Sequence, residues 1–216
     1  MEGSYFATAT GLLPVRKLSP DTHAAFAVSL FQSPPQTRCI PELSLRRSSR
    51  LDFAPNSEKP LHGLRVGFKD NIDIAGAITF ASSLVCGEFH GIKSQNATAI
   101  QRLLDPGAVI VSKTGMGQFT DAEDPTSDFV DVIAPRNPRS DAIRSQVGAA
   151  MAHAAAGAHD WIDFTIRTHT GGSVRRPAAS QWSTASDLQK EALSVEGTLV
   201  IHSHLFPAKE GRVQKT

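Results

Sequence analysis

Cysteine is scarce in this chain: Cys39 and Cys86 are the whole complement in 216 residues. Two cysteines with no C-x-x-C spacing exclude a disulfide framework, and a reducing, cytosolic setting is the expectation. Charge of one sign is also lacking. Lys and Arg number 22 against 21 Asp and Glu, for a net charge of +1. No long-range field favours nucleic acid or an anionic membrane. The densest basic cluster, Arg46-Arg47-Ser48-Ser49-Arg50, reads as a solvated loop. Long hydrophobic runs are absent too. The longest small-apolar stretch, Gly148 to Ala158, is interrupted by His153 and is far too short to span a bilayer. Met1-Glu2-Gly3-Ser4 opens without a basic region and apolar core, so no secretory signal is expected. No internal repeat or low-complexity tract stands out.

What is present is the composition of a globular domain, 40% hydrophobic and 20% charged, in a chain long enough to bury a sizeable core. Two regions are expected: an N-terminal helix and Pro-rich linker over 1–59, and a main domain over 60–216. Ser19-Pro20-Asp21 supplies a cap, a first-turn proline and an acid, and predicts a helix through Ala24, Ala25, Phe26 and Leu30. Prolines and polar residues over 33–60 read as a loop or linker. Leu64-Arg65-Val66-Gly67-Phe68 alternates like a strand. Asn96 is placed to cap a helix presenting Ile100, Leu103 and Leu104, ended by Asp105-Pro106-Gly107. Ala108 to Val111 reads as a buried strand, so strand, helix and strand suggest an α/β unit with a parallel pair. Residues 113–147 look loop-rich, with acids at Asp121, Glu123, Asp124, Asp128 and Asp131. Gly148 to Ala158 reads as an alanine-dense helix and Asp160 to Ile166 as a further buried strand.

Two stretches could carry chemistry. Gly171-Gly172-Ser173 places a serine after two glycines, which let the backbone turn tightly and aim N–H groups at a developing negative charge. Lys69 follows a strand-like run, and burial there would lower its pKa toward the neutral form that a base requires. Taken alone, Gly-Gly-Ser is a common turn.

The wider text is more specific. Pro60 to Gly76 (with Gly67-Phe68-Lys69-Asp70-Asn71 at its centre), Gly107 to Thr114, Ala134 to Arg139, Asp160 to Phe164 and Thr168 to Ala178 together resemble the amidase signature family, in particular its fungal-type members. The resemblance covers about 60–179, in family order. It implies an α/β fold, here a partial amidase-signature fold with a mixed β-sheet flanked by helices. It implies Ser173 as the acyl-forming nucleophile, Lys69 as the base, and the backbone N–H groups of Thr170, Gly171, Gly172 and Ser173 as the oxyanion hole. No metal or organic cofactor is implied, and the substrates of such enzymes are carboxamides, with esters or glutamine in some relatives.

The chain also departs from that pattern. The family relays the proton between lysine and nucleophile through a second serine, in a Gly- and Ser-rich segment. An ungapped alignment puts Ala149 at the relay position and Ala150 beside it, and alanine has no hydroxyl to pass a proton. A gapped alignment brings Ser145 near instead. His169 stands where an aspartate is usual, the match weakens after Pro177, and family members are usually much longer. An open sheet would invite a homo-oligomer or a protein partner. The expectation is therefore an impaired serine-type amidase acting on a small-molecule amide. The alternative is a non-catalytic scaffold or binding protein, serving small-molecule biosynthesis. Neither nucleic acid nor membrane is an expected partner. His202-Ser203-His204 reads as surface histidines rather than a metal pair, and His153 and His159 as packing or surface residues. Asn96-Ala97-Thr98 is better explained as a helix cap than as a glycosylation acceptor. Arg175 is expected to brace the nucleophile loop, although Arg175 and Arg176 could bind a carboxylate.

Overall fold

The computed structural model describes residues 5–15, 17–33, 36–40, 44–47, 53, 56–120, 129–137, 159–169, 194–199 and 210–215. Its strands are β1 (Tyr5–Thr8), β2 (Gly11–Pro14), β3 (Lys17–Pro20), β4 (Phe26–Ser33), β5 (Gln36–Ile40), β6 (Ser44–Arg47), β7 (Arg65–Lys69), β8 (Val109–Thr114), β9 (Phe164–His169) and β10 (Glu210–Lys215). Helices α1 (Leu84–His90) and α2 (Thr98–Leu104) fall between β7 and β8.

A six-stranded mixed sheet in the order β10-β9-β7-β8-β4-β5 organises these elements, and β1-β2 and β3-β6 form two small antiparallel pairs. β7 is flanked on both sides by parallel partners, β8 and β9. A parallel neighbour requires a crossover, and α1 and α2 lie in the one that joins β7 to β8. All residues of β7 and β8 are buried. Both faces of these strands are therefore covered, and simple in–out alternation gives way to burial throughout. On one face Val66, Phe68, Ile110, Ile166, Val28 and Leu30 pack with Ile72, Ile74 and Ile100. The other face holds Ala25, Val109, Val111, Trp161 and Ile162.

The strand–helix–strand unit expected from the sequence is present. Ile100 of α2 is fully buried, with Leu103 and Leu104 packed against the same core, and Gly107 turns the chain at φ +98°. Asn96 is not the cap: Ala97 holds that position without a side-chain bond. Asn96 instead accepts from the Ala75 N–H at 2.8 Å and donates to Gln101 Oε1 at 3.0 Å, tying α2 to the loop after β7.

The helix expected from Ser19 onward is replaced by strands. Pro20 closes β3, and the Asp21 carboxylate accepts from the N–H groups of Ala25 and Phe26, both at 3.0 Å. Ala24 at φ +52° breaks any helical turn. Beyond it Val28 and Leu30 point to one core while Ser29 faces the other way, a period of two that antiparallel pairing with β8 exploits. The linker expected over 33–60 contains β5 and β6, so Arg46 and Arg47 belong to a strand paired with β3 rather than to a loop. The strand expected from Asp160 starts later, at Phe164. Ahead of it the Ile162 N–H bonds to the His159 carbonyl at 3.1 Å. The alanine-dense segment 148–158 and most of 113–147 lie outside the described residues.

Candidate functional site

Lys69 closes β7 at the centre of the sheet. Its side chain is 1% exposed. Burial pulls its amine down from 10.5 to about 7, with the Arg167 guanidinium pushing the same way. Taking an ammonium out of water disfavours the charged form, and a neighbouring cation adds to that. Lys69, Arg65, Thr165 and Arg167 lie on the sheet face opposite Val66 and Phe68, as strand alternation requires.

The chain beyond Lys69 is held tightly. The Asp70 N–H bonds to the Thr114 carbonyl at 3.0 Å, and the Lys69 carbonyl accepts from Ile72 at 3.0 Å. The Asp70 carboxylate meets Lys113 Nζ at 3.1 Å, both side chains wholly buried. Lys113 also donates to the Ile78 carbonyl at 2.9 Å and to Thr79 Oγ1 at 2.8 Å. The Phe80 and Ser82 N–H groups approach the Asp70 oxygens at 3.4 Å. Thr79 passes a 2.6 Å hydrogen bond on to Asp73, which pairs with Lys93 at 3.3 Å. Ala81 and Ser82 both have positive φ, 50° and 58°. Such strained backbone persists only where its surroundings over-determine it. Here the Ser82 hydroxyl donates to the Met116 carbonyl and the Ala81 carbonyl accepts from Phe119.

Asn71 joins this loop to β9 and to a distant segment. Its amide donates to Thr168 Oγ1 at 3.0 Å and to the Leu199 carbonyl at 3.2 Å. The Leu199 N–H returns a 2.8 Å bond to the Asn71 carbonyl. Because β9 runs parallel to β7, its C-terminal end at His169 lies at the same end of the strands as Lys69. Thr170, Gly171, Gly172 and Ser173 follow His169 in sequence and lie outside the described residues. So do Ala149, Ala150, Ser145, His153, Arg175, Arg176, His202 and His204.

His159 is a packing residue, one of the two roles its sequence position suggests. Its ring lies 5.3 Å from Phe26 and 5.8 Å from Trp161, and burial lowers its pKa. The Asp70–Lys113 pair and Arg167 carry no local signal that sequence reasoning could use, since each acts through a residue far away in the chain. Among the described residues no group of three or more His, Cys, Asp or Glu side chains could hold a metal ion. Among them, too, no helix is long and apolar enough to cross a membrane.

Comparison with known proteins bears on the same segments. A family model described as Amidase matches residues 36–182. The chain is 34% identical over 140 residues to one subunit of the glutamyl-tRNA(Gln) amidotransferase of an Exiguobacterium species, covering 64% of this chain and 28% of that protein. It thus spans between a quarter and a third of that relative's length. Among solved structures, the subunit of the same name from Thermotoga maritima shares the fold with a TM-score of 0.62 at 22% identity, over 82% of this chain and 33% of the other. Native peptide amidase from Stenotrophomonas maltophilia aligns with a TM-score of 0.55 at 28% identity, over 67% of this chain and 29% of the other.

Proposed function

This chain belongs to the amidase family, and from that premise we propose that it carries a serine–lysine centre for cleaving carboxamide C–N bonds, with Lys69 as base and Ser173 as nucleophile. The observation that carries the reading is the buried Lys69 amine, held near pH 7 where a lysine can take up a proton and return it. In this scheme neutral Lys69 accepts the proton released as Ser173 Oγ attacks the amide carbon. The backbone N–H groups of Thr170 to Ser173 stabilise the oxyanion. Lys69 returns the proton to the departing amine, and water then releases the acyl group. The substrate class is a small-molecule carboxamide.

The centre is impaired in this reading. Ala149 at the relay position has no hydroxyl through which Ser173 and Lys69 could exchange a proton, and general acid–base assistance is worth about 10²–10⁴-fold. The same alanine favours a second reading, a non-catalytic scaffold or binding protein. A protein partner or second copy is proposed along the sheet edge, where β5 and β10 are the outer strands among the described residues.

Labelling with a fluorophosphonate probe tests the first reading. Slow modification of one site is expected, abolished in Ser173→Ala and in Lys69→Ala. Ala149→Ser with Ala150→Ser should accelerate labelling by about 10²–10⁴-fold. No labelling in any of these chains would reject the hydrolase and leave the scaffold.

A further inference from the structure

Three segments distant in sequence meet at one side chain. Asn71 follows Lys69 by two residues and is 2% exposed. Its Nδ2 donates to Thr168 Oγ1 of β9 at 3.0 Å and to the Leu199 carbonyl at 3.2 Å. A carbonyl can only accept, so the amide is oriented with its nitrogen toward both partners. The Thr168 hydroxyl donates back to Asn71 Oδ1 at 3.3 Å. Both ends of this amide are thus in use, at a depth where an unmade bond is not replaced by one to bulk water.

The Thr168 contact comes where the backbone ladder ends. β7 and β9 pair through Val66–Phe164, Gly67–Thr165 and Phe68–Ile166. Thr168 lies beyond the last of these pairs, and there the Asn71 side chain continues the link. On the far side of β9, β10 pairs with Thr168 and His169, which steadies the strand without setting its distance from Lys69. The Leu199 contact rests on a firm abutment. The Leu199 N–H returns to the Asn71 carbonyl at 2.8 Å, and the Asp73 N–H bonds to the Gly197 carbonyl at 2.9 Å. Thr98 Oγ1 donates to the Glu196 carboxylate at 2.9 Å. Segment 194–199 is therefore fixed both to the loop after β7 and to the start of α2.

We propose that Asn71 is a positioning residue: it clamps the point at which the chain leaves β9 for Thr170 to Ser173 in place relative to Lys69, and it ties that placement to the docking of 194–199. Five residues along the chain take Thr168 to Ser173. An error at the root of so short a segment is carried to its tip, and a displacement of about 1 Å at a reacting group can cost about 10²-fold in rate. A neutral amide suits the task. It holds two partners at once and adds no charge within two residues of Lys69, where an aspartate in its place would. The effect on catalysis rests on the proposed roles of Lys69 and Ser173; the clamp itself does not.

The test uses the 216-residue chain, with amide hydrogen exchange followed residue by residue in NMR and fluorophosphonate labelling timed across pH. Thr168→Val keeps the shape and removes the hydroxyl, whereas Thr168→Ser keeps the hydroxyl. In Thr168→Val the amides of His169 to Ser173 should exchange about tenfold faster, while those of β7 and β8 keep their protection. Labelling should slow by about 10²-fold. Its pH midpoint should stay near the Lys69 value of about 7, which separates misplacement from a change in the base. Thr168→Ser should restore both rates. Asn71→Ala should act as Thr168→Val does and also release the Leu199 amide. Exchange at His169 to Ser173 that Thr168→Val leaves unchanged, or that rises only together with β7 and β8, overturns the proposal. So does a labelled Ser173 whose rate the same variant does not alter. Faster exchange confined to His169 to Ser173, with no serine labelled even in the native chain, would sink the hydrolase reading and leave the clamp standing.

Discussion

Replacing Lys69 by methionine keeps most of the side-chain volume and removes the buried amine. In the native chain the amine titrates at about 7 rather than 10.5. Between those values the unfolded chain binds a proton that the folded chain does not, so native stability rises with pH there. The contribution is complete above 10.5 and is lost as pH falls through about 7. Each pH unit in that window is worth about 1.4 kcal/mol, and the whole shift about 5 kcal/mol. Lys69→Met lacks this slope. The variant should be the more stable chain at pH 6, by up to about 5 kcal/mol, with the advantage shrinking to about 1.4 kcal/mol at about pH 9.5. Urea unfolding of both chains across that range gives the difference directly. His159 and Cys86 titrate in both chains and cancel. A difference independent of pH would mean that the Lys69 amine is ordinary, and a slope of opposite sign would mean that an anion holds its charge. Either result refutes the reasoning from burial.

Asp70→Asn leaves the Lys113 charge buried without its counter-ion and should cost about 3–5 kcal/mol. Adding Lys113→Met should restore a large part of that, read as a coupling energy in a double-mutant cycle. Gly197 sits at φ +77°, and a Cβ there would lie 2.6 Å from the Ala97 Cα. Gly197→Ala should therefore destabilise by at least about 2 kcal/mol in chemical denaturation, and an effect below about 0.5 kcal/mol would show that the 194–199 segment does not dock as described. Burial lowers the pKa of His159 from its ordinary 6.5, against the nearby Asp21 and Asp160 and with His23. The stability that neutral His159 permits is present above pH 6.5 and is lost as pH falls through its folded value. His159→Phe should flatten that acid limb, as thermal unfolding between about pH 5 and 7 would register.

The central unit was legible because its signals are local. β7, α2 and β8 follow from a short apolar run, a helical face carrying Ile100, and the Asp105-Pro106-Gly107 stop. The misread stretch also had strong local signals, Ser19-Pro20-Asp21 ahead of an apolar run. Asp21 uses its carboxylate to shape a turn, however, and the run pairs with β8, which no nearby residue announces. The site divides in the same way. Lys69 could be picked out from the segment around it. That Gly67 lies between Thr165 and Ser112, or that Asp70 is matched by Lys113, depends on strand register set far away in the chain.

Two lysines at nearly equal depth show what the fold does with charge. Lys69 and Lys113 stand on neighbouring parallel strands, one residue apart in register, and point to opposite faces of the sheet. On its face Lys113 meets a carboxylate at 3.1 Å and two neutral oxygens within 2.9 Å. Every donor it has is in use, and its charge fixes the loop from Asp70 to Ser82. On the other face Lys69 meets Arg167, and its charge is penalised instead. Burial alone would treat the two alike; the neighbours do not. A lysine saturated by a carboxylate can brace a loop but is a poor proton acceptor, whereas a buried one pressed by a cation gives up its proton near neutrality. The alternation of β7 and β8 thus sorts two chemically identical side chains into a charged brace and an amine whose proton is lost near neutrality, as the base proposed above requires. Moving an acidic residue beside Lys69 would hold its proton in place and turn that amine into a second brace.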